Sequence, residues 1–305
     1  MAALIEAEGG AMRLPPVRSV EWRNGTSPIV TSISDLEMIE PRWRIEIGVP
    51  DDSPLWIRGV DFTRAHEGPF HSLLSRIAQR LKTSDLRTVA ASFALRFGWT
   101  SFSAIAPFLL HRCVPNVSLD NISVKFREDT FFERIAIHEV QGTILREGLQ
   151  EDVAGTKYVA DETALLRALR STLYAQAEPV VQAMYEWSGF SKKGAWGQIT
   201  SSWASQFINA CDRFGGQKQA LPIVEEFFAG DDIITASQPR LHPVTLANVT
   251  HLYQRRASCC RYYLLPQGSL CASCPLVSQE ERLKLNLEWM RKQLEPKIGS
   301  SSKHG

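Results

Sequence analysis

The stretch Arg255–Leu276 reads RRASCCRYYLLPQGSLCASCPL and carries Cys259, Cys260, Cys271 and Cys274 in the pattern C-C-x10-C-x2-C. The chain has six cysteines in 305 residues, so most of them fall in this one run. The overall density is too low for a disulfide scaffold, and in a reducing compartment such a group points to metal binding or redox chemistry. Four soft thiolates suit Zn²⁺ or an iron–sulfur cluster. The Cys271–Cys274 half is generic, because a C-x2-C turn aims two sulfurs at one metal in zinc and iron sites alike. The Cys259–Cys260 half is less usual. Adjacent residues of an extended chain point to opposite faces, so two adjacent ligands demand a turn or irregular backbone. A two-iron cluster is broader than a single ion and accommodates an adjacent pair more readily. The spacing by itself leaves open an iron–sulfur cluster, a structural zinc knuckle and buried structural cysteines.

The same run resembles the C-terminal signature of the FhuF-like siderophore ferric-iron reductases. That family is marked by C-C-x10-C-x2-C, with an Arg shortly before the pair and an Arg or Tyr shortly after it. Arg256, Cys259, Cys260, Arg261, Tyr262, Cys271 and Cys274 match, and the resemblance is far weaker upstream. It implies that Cys259, Cys260, Cys271 and Cys274 together hold one [2Fe–2S] cluster. It also implies one-electron reduction of a ferric siderophore, with hydroxamate chelates as the expected class and a ferredoxin or reduced carrier as electron donor. A four-thiolate cluster is formally about −2 when oxidised and about −3 when reduced. Arg255, Arg256, Arg261 and Tyr262 are accordingly the candidates to surround it or to dock a partner, and a solvated basic loop is the plain alternative.

Composition is that of an ordinary globular chain, 44% hydrophobic and 22% charged, with a formal net charge of +1. No whole-molecule field invites nucleic acid, so none is expected as a partner. Met1–Pro16 has Glu6 and Glu8 where a secretory leader needs Lys or Arg. The most apolar run, Phe102–Leu110, contains Ser103 and Pro107 and is far short of the roughly 20 residues of a membrane span. The expectation is a cytoplasmic protein, with room for a peripheral contact at the inner membrane.

Periodicity predicts an α+β fold: a mostly helical body, a few strands in the first half and a compact cysteine-bearing C-terminus. Strands are expected at Trp43–Val49, Ile122–Phe126 and Arg134–Ile144. Helices are expected around Leu73–Leu81, over Leu86–Leu110 with a break near Gly98, from Asp161 onward with a kink or split at Pro179, at Ala195–Phe214 and at Leu221–Phe228. A polar connection after Gly230 leads to the cysteines. The closing helix has Ser278 and Glu281 as a capping box and Leu283, Leu287, Met290 and Leu294 on one face. The domain reading is a siderophore-binding body over 1–245, a cluster module over 246–298 and a disordered tail over 299–305. Trp196 and Trp203, seven apart, share a helix face. Core packing is the simpler reading of that spacing, and a wall of the chelate pocket the functional one.

Rival functions are a zinc-stabilised interaction protein and an iron–sulfur carrier or redox sensor with no siderophore substrate. A nucleotide-dependent siderophore-biosynthesis enzyme would need a phosphate loop, and no G-x-x-x-x-G-K-[ST] run is present.

Overall fold

The computed structural model describes residues 27–41, 43–146, 154–214 and 219–294. The first half contains α1 (Pro28–Ile39), β1 (Ile45–Ile47), β2 (Trp56–Arg58), α2 (Gly68–Leu81), α3 (Leu86–Phe97), α4 (Phe102–His111), β3 (Cys113–Pro115), β4 (Ile122–Phe126), β5 (Phe132–Ile137), β6 (Gly142–Leu145) and β7 (Thr156–Val159). The second contains α5 (Glu162–Ser188), α6 (Lys192–Phe214), α7 (Ala220–Phe228), α8 (Ile233–Ala236), β8 (Arg240–Leu246), β9 (Val249–Arg255) and α9 (Gln279–Leu294). The fold is α+β with a helical body.

The most apolar segment runs through the middle. Leu86–His111 is long and apolar enough to cross a membrane by length and composition, and 89% of its most apolar window is buried inside the protein. Phe62, Phe70, Phe93, Phe97 and Phe126 interlock there, with Phe62 lying 5.2 Å from Phe70 and 5.4 Å from Phe97 between ring centroids. The expected break at Gly98 is a 3₁₀ turn, Gly98–Ser101, joining α3 to α4. Its cause is proximity: a β-carbon at Gly98 would meet Ser202 Cβ at 2.6 Å and the Ile199 carbonyl at 2.9 Å, both on α6.

Beside these helices lie a four-stranded sheet of order β1-β5-β4-β2 and a three-stranded sheet of order β3-β6-β7. In the first, β1 runs parallel to β5 while β4 is antiparallel to both β5 and β2. The strand expected over Arg134–Ile144 is in fact two, β5 and β6, in different sheets, because the chain turns between them. The segment expected to be an irregular connection before the cysteines is an antiparallel hairpin, β8–β9, with Arg240 opposite Arg255. β8 accommodates Pro243 because in a two-stranded hairpin each strand keeps a free edge on which a missing N–H costs nothing. The boundary expected between residues 245 and 246 falls inside β8, so the hairpin straddles it.

Asp161 caps α5 as expected, accepting from the Ala164 amide at 2.7 Å. Pro179 does not split α5. Ala177, Val180 and Val181 around it are buried, and that packing offsets the lost backbone bond. The glycine stop at 215–216 and the tail over 299–305 lie outside the described residues. In α9 the Ser278 hydroxyl accepts from the Glu281 amide, one arm of the expected capping box. The inward stripe, however, is Arg282, Asn286 and Met290, whereas Leu283 and Leu294 are exposed. Polar groups win the inner face because they have partners: Arg282 Nη2 donates to the carbonyls of Cys274 and Val277, and Asn286 Nδ2 lies 3.1 Å from His242 Nε2 on β8.

Gly98→Ala should destabilise the fold by about 1–3 kcal/mol through overpacking of α3 against α6. Urea unfolding at neutral pH measures it, and an unchanged midpoint would refute the close approach.

Candidate metal centre

The cysteine run begins where β9 ends, and backbone bonds tie its two halves together. The Arg256 amide donates to the Ser273 carbonyl at 2.8 Å, and Arg255 Nη2 donates to the Pro275 carbonyl at 2.9 Å. The first pair turns sharply because Arg261 adopts φ 61°, which brings its amide to 3.3 Å from Cys259 Sγ. A 3₁₀ turn, Tyr262–Leu264, follows. The chain then passes so close to itself that a β-carbon at Gly268 would collide with the Tyr262 carbonyl. The second pair closes by donation from the Cys274 amide to the Cys271 carbonyl at 2.9 Å. All four cysteines are free thiols, with Cys274 buried, Cys259 and Cys260 half-buried and Cys271 exposed.

Arg256 organises the charge. It is 6% exposed, and its Nη2 donates to Cys271 Sγ at 2.8 Å. Burial pulls its proton affinity down, but attraction to Cys260 and Cys271 more than compensates, and its pKa rises above the ordinary guanidinium value. Cys259 is pushed up, first by burial and then by the charges of Cys260 and Cys274, while its bond from the Arg261 amide works in the opposite sense. Each thiol therefore lies within electrostatic reach of another member of the set or of Arg256. A thiol pushed up in this way, as Cys259 is, is what a bound cation relieves.

Two helices brace the loop. Asp85, the N-cap of α3, accepts from the Arg87 amide and from the Thr88 hydroxyl. It also accepts from Arg261, at 3.2 Å from Nε and 2.9 Å from Nη2. Ser258 donates to the Gly194 carbonyl in the first turn of α6 at 2.7 Å. The N-terminal ends of both helices thus meet the loop, one through a carboxylate and one through a carbonyl oxygen.

Among the described residues no three His, Cys, Asp or Glu side chains are placed to hold one metal ion. A two-iron cluster makes no such demand, because its four thiolates are shared two to an iron. The donors fit an anionic group of that size. Arg256 Nε is buried with no acceptor, as are Arg255 Nε and Arg282 Nε beside the same loops. These N–H groups belong to arginines whose other nitrogens already bond the cysteine loops, and an anionic group held there would be their acceptor.

Residues 256–276 match the model of the FhuF 2Fe-2S C-terminal domain. This segment is similar to a FhuF 2Fe-2S domain. No curated protein matches the chain. The FhuF-type module implies a [2Fe–2S] cluster, and Cys259, Cys260, Cys271 and Cys274 all lie within the matched segment. In coarse terms the matched segment is similar to that of FhuF-type iron–sulfur proteins.

The other expected residues are placed as follows. Tyr262 is exposed on the FhuF-type loop, together with Tyr263, Leu264 and Leu270. Trp196 and Trp203 are core residues, 3% and 1% exposed. Trp196 stacks on Tyr174 at 5.3 Å, and Trp203 meets Phe227 edge-on at 6.0 Å. Their burial accords with the core reading of their spacing, and neither lines the cavity described next. A cavity of about 720 Å³ lies elsewhere on α6, lined by Trp43, Trp99, Phe102, Phe132, Gln206 and Arg213 among others. Cys113 and Cys211 are buried, and burial pushes both thiols up to about 12. Asp85 was missed by sequence reasoning. Its capping position before α3 was readable, but nothing in the text linked it to Arg261, 176 residues away.

Partial burial pushes the Asp85 carboxyl upward, but Thr88 and Arg261 outweigh it and hold the carboxyl below its ordinary value. A depressed folded-state pKa contributes stability above the unfolded value of about 4 and loses it as pH falls through the folded one. Asp85→Asn keeps a competent helix cap but removes the ion pair. The gap in melting temperature between wild type and D85N should be present at neutral pH and close below about pH 4. A pH-independent gap would mean that the ion pair contributes nothing.

Proposed function

We propose that this chain is a ferric-siderophore reductase, a one-electron oxidoreductase in which Cys259, Cys260, Cys271 and Cys274 hold the [2Fe–2S] cluster. The observation that carries the reading is the buried Arg256 guanidinium set between the two cysteine pairs within a FhuF-type module. When bound, the cluster supplies single electrons, and Fe³⁺ held by a chelate leaves as Fe²⁺. Hard anionic oxygens such as hydroxamates grip Fe³⁺, whereas Fe²⁺ sits low in the affinity series for divalent metals and passes on to other ligands.

The chain's own residues have distinct tasks in this reading. Arg256 donates toward sulfur and offsets the added negative charge of the reduced state. Arg261 and Asp85 fix the first cysteine pair against α3. Exposed Cys271, with Tyr262, Tyr263, Leu264 and Leu270 near it in sequence, marks the side from which a chelate or a donor protein approaches. The body that precedes the module is assigned chelate binding, with a ferric hydroxamate as the substrate class. The electron donor is a ferredoxin or reduced carrier, and the compartment is the cytoplasm, where thiols stay reduced.

Anaerobic purification should yield a brown-red protein containing iron and sulfide. Its visible absorption should bleach with dithionite and recover on addition of one equivalent of a ferric hydroxamate, with Fe²⁺ captured by a ferrous chelator. Cys259→Ser and Cys274→Ser should each lose the colour. A colourless zinc-containing protein would replace this reading with that of a structural zinc module. A cluster that bleaches but is not reoxidised by the chelate would leave an electron carrier or sensor without a siderophore substrate.

A further inference from the structure

Gln198 lies at the centre of the contact between α6 and the cysteine loop, and it has no exposed surface. Its Nε2 donates to the Ser258 carbonyl at 2.9 Å and to the Ser258 hydroxyl at 2.6 Å. Its Oε1 accepts from Arg256 Nη1 at 3.4 Å. The amide cannot be reversed, because Arg256 only donates and the Ser258 carbonyl only accepts. Ser258 is in turn held from two further sides. Its hydroxyl donates to the Gly194 carbonyl, and it fills the space left by the missing side chain of Gly197, where a β-carbon would come within 2.8 Å of Ser258 Cβ. The Ala257 amide donates to the Ser201 hydroxyl at 3.3 Å. One buried side chain on the body therefore grips both the residue immediately before Cys259 and the guanidinium that reaches Cys271.

We propose that Gln198 is a positioning residue that holds Arg256 against the cysteine sulfurs and thereby sets the reduction potential of the centre. The inference rests on the four-cysteine cluster assigned above. Hydrogen bonds to sulfur and nearby positive charge are among the levers that set a cluster's potential, and both act here through the Arg256 guanidinium. Arg256 is a long side chain whose Nε has no acceptor of its own. Apart from its sulfur contacts, Gln198 is the side-chain group that fixes the direction of its fork. Without that acceptor the guanidinium can turn from Cys271, and the reduced state, which carries the extra negative charge, loses more than the oxidised one.

The test is a redox titration of Gln198→Leu, which conserves size and removes both hydrogen-bonding ends. At a fixed solution potential the ratio of reduced to oxidised cluster should fall about tenfold, or about 59 mV for a one-electron couple. The electron paramagnetic resonance of the reduced centre should change as well. In an Arg256→Lys background the same substitution should shift the potential little, since the effect travels through the guanidinium. A loaded Q198L protein with wild-type potential and spectrum would overturn the proposal, and so would an equal shift in both backgrounds. Should Q198L fail to load, Ser258→Ala leaves α6 intact and removes one hold on the loop. It should lower the potential in the same direction, and an unshifted potential would overturn the proposal. Amide exchange over residues 257–261 of the iron-free protein should be faster in Q198L than in wild type, and equal exchange would count against positioning. That last reading uses no cluster and no siderophore, so failure of the proposed reductase activity and failure of this arrangement are told apart.

Discussion

A guanidinium that is 6% exposed must be answered by negative groups, because an unpaired buried charge is far too costly to retain. The groups answering Arg256 are thiols, which are weak partners until ionised. The arrangement is thus self-consistent only when the cysteines carry negative charge, and they carry it fully when they bind metal. The remaining architecture serves this condition. The β8–β9 hairpin presents Arg255 and Arg256, α6 supplies Gln198 and a glycine-lined seat, and α3 supplies Asp85 for Arg261. Arg282 on α9 holds the carbonyls on the far side of Cys274. Four elements, α3 and α6 from far back in the sequence and the hairpin and α9 on either side, converge on one loop that has little regular structure of its own.

The seat on α6 explains why that helix is built from small and polar residues where it meets the loop. Gly194, Gly197, Ser201 and Ser205 recur at helical spacing, and the Ser201 and Ser205 positions also receive Gln254 from β9. The neighbouring face of the same helix carries Trp196, Trp203 and Phe207 into the core. One helix therefore has an apolar side that fixes its place in the body and a narrow polar side that fixes the loop. Movement of the loop is restrained by hydrogen bonds more than by apolar area, so it is the part of the module expected to open at lowest cost.

The cysteine pattern was legible in the text because soft ligands at fixed spacing are a local signal. The long helices were legible for a similar reason: Leu165, Leu166, Leu169 and Leu173 mark the buried face of α5, and Asp161 its start. Longer-range features were not. Nothing local says that Gln198 and Ser258 touch, or that Arg261 reaches Asp85. In α9 the local signal misled, since a leucine stripe was read as the buried face while Arg282 and Asn286 found partners and took that side. The hairpin reads as a polar connection, and its Pro243 is tolerated only on a free edge that the assembled sheet defines. Trp196 and Trp203 were ambiguous because helical spacing brings residues to one face without saying what that face meets.

The partners that α3 and α6 offer the loop are made earlier than the loop itself. Asp85, Gly194 and Gln198 leave the ribosome well before Cys259, and chains fold from the N-terminal end as they emerge. The apolar body is rich in contacts that do not involve the module, so a formed platform awaits the cysteine loop. The cysteine loop docks on a preformed bed, and Cys271 stays at its exposed edge while Cys274 is buried beneath.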